Sequence, residues 1–136
     1  PMVHKRAFMV VATVETKGHD GVIIAQGGTN HGWALHVREG KLRFETQHGG
    51  KLTSLVADKA FPESAVKVSA ELAKDGTVIL KVDDKVVMEG KTPGPILDMP
   101  LDGLEVGVDR NGAVGRYPAD KLFEGTIKNI SLKILK

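Results

Sequence analysis

The chain has 136 residues with 19 Lys and Arg against 17 Asp and Glu, a net charge of +2 spread along its length, so it lacks the clustered basic footprint of a nucleic-acid binder. It has no cysteine, which removes disulfides, thiolate zinc sites and cysteine nucleophiles. Its longest apolar runs, such as "FMVVATV" and "VIIA", are strand-sized and far short of the roughly 20 residues that span a bilayer, so membrane insertion is not expected either.

Apolar residues alternate with polar ones almost everywhere, and Gly or Asp marks each break; together these predict short antiparallel strands and no helix. In chain order the strands are expected at 7–15, 21–26, 32–38, 41–47, 51–57, 65–74, 77–83, 85–90, 104–109 and 124–134. Glu39-Gly40, Gly49-Gly50, Asp75-Gly76 and Asp83-Asp84 fall between strands and suit tight hairpins, because Gly and Asp tolerate the left-handed backbone such turns need. The segment 91–103, "KTPGPILDMPLDG", holds three of the six prolines and is expected to cross between sheets. So many strands in one small domain, with such a crossover, give an all-β fold: a two-sheet antiparallel jelly-roll sandwich. The chain, residues 1–136, is expected to form a single domain, and its start at Pro1 to be a cut from something longer.

Alternation assigns the faces. Trp33, Leu35 and Val37 share the inward side of their strand, and Ala34, His36 and Arg38 the outward side. Across the next turn Leu42, Phe44 and Thr46 point in, and Arg43, Glu45 and Gln47 point out. In the last strand "KNI" interrupts the alternation and marks a bulge.

Few residues carry recognisable chemistry. Paired carboxylates would suit a glycosidase, but the Glu-x-Asp-x-x-Glu signature is absent; the nearest approaches are Asp98, Asp102 and Glu105, and the turn pair Asp83-Asp84. His4, His19, His31, His36 and His48 show no zinc-ligand spacing and are expected at the surface, His36 on an outward strand face. Asp20, Asn30, Asp109, Asn111 and Asp120 are possible oxygen donors to calcium, or else caps of their own turns. His36, Arg38, Arg43, Glu45 and Gln47 form a polar outer row whose planar groups suit sugars and sulfated sugars. The same row also reads as a solvated face stabilised by cross-strand charge pairs. Arg116 and Tyr117 stand in the polar loop "DRNGAVGRYPADKLF" as candidate rim contacts.

Three stretches resemble the concanavalin A-like, laminin-G-like jelly-roll domains. They are "DGVIIAQGGTNHGWALHVREGKLRFETQ", "ELAKDGTVILKVDDKVVMEGK" and "LEVGVDRNGAVGRYPADKLFEGTIKNISLKI", the last also similar to the tail domain of some bacterial sulfatases. The resemblance covers nearly the whole chain from about Ala7. It implies a non-catalytic accessory module, extracellular or periplasmic, contacting a glycan or a neighbouring domain of the same chain. A purely structural domain, or a glycoside hydrolase or polysaccharide lyase, are the alternatives. The sulfatase Cys/Ser-x-Pro-x-Arg motif is absent, so no sulfatase chemistry is expected. No cofactor is required; in such relatives calcium sits at the sandwich rim, and Asp109 is the position carried over, without an acidic cluster beside it.

Overall fold

Every predicted strand forms. The computed structural model describes residues 6–27, 30–96, 104–108, 114 and 122–135, and among these there is no helix. The strands are β1 (Phe8–Glu15), β2 (Gly21–Gly27), β3 (His31–Arg38), β4 (Lys41–His48), β5 (Lys51–Val56), β6 (Val66–Leu72), β7 (Thr77–Val82), β8 (Lys85–Lys91), β9 (Leu104–Val106) and β10 (Thr126–Ile134). They make two five-stranded sheets, in the orders β10-β1-β6-β7-β8 and β5-β4-β3-β2-β9, with antiparallel pairing throughout.

The turns do what their residues allow. Glu39 and Gly40 adopt φ of 53° and 72°, Gly49 and Gly50 61° and 84°, and Asp83 and Asp84 50° and 67°, the paired left-handed geometry that matches the twist of flanking strands. Asp83 Oδ1 also accepts from the Lys67 amide and Asp84 Oδ1 from the Lys67 ammonium, so both carboxylates of this turn are engaged locally. At the neighbouring turn the Thr77 amide and hydroxyl hold the Asp75 carboxyl below its ordinary range. The crossover leaves β8, an edge of the first sheet, and enters β9, an edge of the second. Its first residues are tied down by Thr92 Oγ1, which donates to Gly76 O at 3.1 Å, and by His48 Nε2, which donates to Gly94 O and Pro95 O at 3.1 and 3.0 Å.

Between the sheets lies an aliphatic core organised around one tryptophan. Phe8, Val10, Ala12 and Val14 of β1 face Trp33, Leu35 and Val37 of β3 and Leu42 and Phe44 of β4, all buried. Trp33 packs against Phe8 at 5.0 Å and Phe44 at 6.2 Å between ring centroids, and its indole Nε1 donates to Gln26 Oε1 at 3.2 Å. A ring system buried this way must place its one polar atom on an acceptor, and Gln26 supplies it.

Register shifts in three strand pairs, β1–β10, β2–β3 and β7–β8, adjust the faces. In β10 the partners skip from Ser131↔Val11 to Lys128↔Thr13, and Asn129 takes φ 54°, which places the bulge within "KNI" as the broken alternation predicts. In β2 the register slips between Val22 and Ile24, so Ile23 and Ile24 both enter the core while Val22 and Ala25 join a separate buried cluster with Ala34 and Val114. That cluster cannot lie between the sheets, because Ala34 alternates with Trp33 and Leu35. The second sheet is therefore covered on its outer side as well.

Candidate functional site

The outer face of β2, β3 and β4 is where sequence and structure diverge. His36, Glu45 and Gln47 point outward as predicted, but none is a surface residue: their relative exposures are 1%, 2% and 9%. Two things bury them. Val114 lies over the face against Val22, Ala25 and Ala34, and its carbonyl accepts from Gln47 Nε2 at 2.9 Å. His36 and Glu45, diagonal neighbours on β3 and β4, close on each other in a short Nε2 to Oε1 contact with almost no solvent access. Period-two alternation tells which side of a sheet a residue takes and carries no information about what covers that side.

Arg38 and Arg43 remain at the open part of the face. They border a pocket of about 280 Å3 lined by Arg38, Glu39, Arg43, Glu45, Leu52 and Ser54. Its architecture follows from the two hairpins. The Glu39-Gly40 turn sets His36 opposite Arg43 and Arg38 opposite Lys41; the Gly49-Gly50 turn sets Ser54 opposite Glu45 and Leu52 opposite Gln47. The first turn is clamped from below by Asp20, whose carboxylate accepts from the amides of Glu39 at 2.7 Å and Gly40 at 3.0 Å. Asp20 thus caps this turn through its side chain.

The arginines differ in exposure. Arg43 has a side-chain exposure of 18%, and its Nε donates to the Arg38 carbonyl at 3.3 Å, so its guanidinium is held with the terminal nitrogens toward the pocket. Arg38 is 42% exposed. Glu39, 72% exposed, brings one oxygen to 3.6 Å from Arg43 Nη2 and 3.9 Å from Arg38 Nε. The floor carries the buried Glu45 carboxylate and the rim the Ser54 hydroxyl. Such a site can hold an oxyanion on guanidinium donors while offering an acceptor and a hydroxyl to polar neighbours of that anion.

Ser54, Leu52 and Glu39 were not among the residues predicted for this face. Ser54 and Leu52 follow from the Gly49-Gly50 register once β4 is assigned; the reach of Glu39 from a turn back over two arginines has no sequence signal. The remaining predicted positions separate. Arg116, Tyr117, Asp109, Asn111, Asp120, Asp98 and Asp102 lie outside the described residues, while Glu105 pairs with Ala25 on β9. Asn30 contributes its backbone carbonyl to the Gly50 amide. Among the described residues no three His, Asp or Glu side chains converge as metal ligands. A second cleft of about 460 Å3 opens at one end of the sandwich, with Leu42, Phe61, Val82 and Val87 among its lining and Lys59 and Lys85 balanced by Asp58 and Asp83.

No family model matches the sequence, and no curated protein aligns with it significantly. Solved structures do match in shape. Domains LG4-5 of the mouse laminin alpha1 chain superpose with a TM-score of 0.78 at 16% identity, over 98% of this chain and 38% of that one. A native heptameric SAP-like pentraxin from Limulus polyphemus gives 0.65 at 11% identity, over 99% and 68%. The receptor binding domain of botulinum neurotoxin D gives 0.59 at 17% identity, over 76% and 29%. The chain thus spans well under half of the laminin structure it matches. At these identities the likeness establishes the fold: the protein is an all-β, laminin-G-like jelly-roll sandwich.

Proposed function

We propose that the chain is a non-catalytic, carbohydrate-binding module of an exported multidomain protein, and that it binds through the open part of the outer face of β3, β4 and β5. The observation that carries this reading is the pocket bounded by Arg38 and Arg43, with Arg43 preset by its bond to the Arg38 carbonyl. Preset planar donors lose little entropy on meeting an oxyanion, which is where specificity for a charged sugar arises. A binding role is in keeping with the fold neighbours, one of which is itself a receptor binding domain. His36, Glu45 and Gln47 act here as framework, since they are buried, and Arg38, Arg43 and Ser54 as contacts.

A glycan array probed with the protein and with Arg38→Ala and Arg43→Ala tests the reading. Retained glycans that are lost in both variants support it; glycans bound equally by all three proteins would move the site elsewhere. A second reading, packing against a catalytic domain such as a sulfatase, is favoured by the exposed apolar side chains Val86, Val106 and Leu122, at 55%, 45% and 58%. An array without any binder, together with tight association with such a domain that Leu122→Asp disrupts, would put this reading first.

A further inference from the structure

We infer that Glu39 is a built-in counter-ion of the arginine pocket, standing where a ligand's anionic substituent sits, and that the pocket selects sugars carrying a sulfate or carboxylate able to displace it. This rests on the reading of this face as the binding face. The pocket sets a held cation against a loose anion. Arg43 is largely buried and its Nε is committed to the Arg38 carbonyl, so the guanidinium keeps its place with or without Glu39. The Glu39 backbone is equally fixed, since Asp20 clamps the turn and thereby sustains a left-handed φ of 53° at a non-glycine residue. Its side chain is another matter: 72% exposed, it touches the arginines only at 3.6 and 3.9 Å, beyond good hydrogen-bond length. Contacts of this kind contribute roughly 0–1 kcal/mol, so an incoming oxyanion has little to displace.

The rest of the pocket fixes where that oxyanion stops. Glu45, buried and joined to His36, lies at the floor and repels an anion from the deeper part. The charged substituent is therefore retained at the mouth, at the position of the Glu39 carboxylate between two guanidinium groups. Neutral hydroxyls beside it fall toward the exposed Ser54, which lies opposite Glu45 on β5. An uncharged sugar gains nothing from displacing Glu39. The two guanidinium groups thus favour charged ligands over neutral ones, and Glu39, as their resident counter-ion, lowers how tightly a charged ligand is held.

The test measures inorganic sulfate by side-chain NMR of Arg43, and a sulfated dextran oligomer and its unsulfated parent by calorimetry, at low salt. Glu39→Gln is expected to tighten both sulfate and the sulfated oligomer by about two- to fivefold, the range expected for a surface ion pair. Arg43→Ala abolishes both, and adding Glu39→Gln to it restores nothing. Glu89→Gln, the same charge change on exposed β8 of the other sheet, leaves affinity unchanged. Unchanged or weaker binding in Glu39→Gln, or an equal gain in Glu89→Gln, would overturn the inference. Sulfate that binds and is tightened by Glu39→Gln while no glycan binds leaves the counter-ion in place and removes the carbohydrate reading; failure of sulfate and oligomer alike removes both.

Discussion

The two sheets present outer faces that look alike in sequence and differ in the folded protein. On the first sheet the outward residues of β1, Met9, Val11, Thr13 and Glu15, all keep solvent contact, and so do Ser69 and Glu71 of β6 and Ile79 and Lys81 of β7. Their neighbours across the strands mix charge with aliphatic carbon: Met9 lies between Lys133 and Glu71, Val11 between two serines. This is the ordinary solvated face of an antiparallel sheet. On the second sheet Val22, Ala25, Ala34, His36, Glu45 and Gln47 are all buried, and solvent reaches the face chiefly around Arg38, Arg43 and Ser54. The contrast teaches that one face of this protein is finished by water and the other by its own chain. The finished face leaves a small charged opening in which Arg43 is held in place, and a held donor is what recognition needs.

Two substitution pairs probe that contrast, the larger effect first. Glu45→Ala strips a buried imidazole of its partner and is expected to cost about 3–5 kcal/mol in urea denaturation, as removal of one member of a buried pair does. Glu71→Ala, the outward acid of the first sheet, is expected to stay within about 0.5 kcal/mol. Equal small losses would mean that the buried pair does not organise its face. The second pair concerns the cover itself. Val114→Ala removes two buried methyl groups from the Val22, Ala25 and Ala34 cluster, an expected loss of about 1.5 kcal/mol, seen as a lowered melting temperature. Val11→Ala on the half-open first face should cost roughly half as much, since less of its surface leaves water on folding. The reverse order would show that Val114 rests on the sheet without stabilising it.

How much of this was legible in the sequence depends on the range of the interaction. Strands, hairpin turns, inward faces and the bulge at Asn129 are local, set by alternation and by which residues accept a left-handed backbone; all of these read correctly. So did the passage of the chain from one sheet to the other after β8. The burial of His36 and Glu45 was not legible. Register across the Glu39-Gly40 turn places His36 opposite Arg43, and Glu45 opposite Ala34, so the bonded pair is the diagonal one. Gln47 was missed for the same reason, since its bond reaches Val114, 67 residues away. Arg38 and Arg43 keep the solvent contact expected of outward positions, because long cations near the ends of strands reach water whatever covers the middle of the sheet.

On the proposed reading the arginine pocket on the second sheet, and not the solvated face of the first, is the binding surface. Mapping amide chemical-shift changes in the 15N-labelled protein during titration with a sulfated dextran oligomer tests it most directly. Saturable shifts confined to residues 38–45 and 52–54, absent in Arg43→Ala, are expected. Shifts centred on Met9, Glu71 and Lys81, or undiminished in Arg43→Ala, would contradict it.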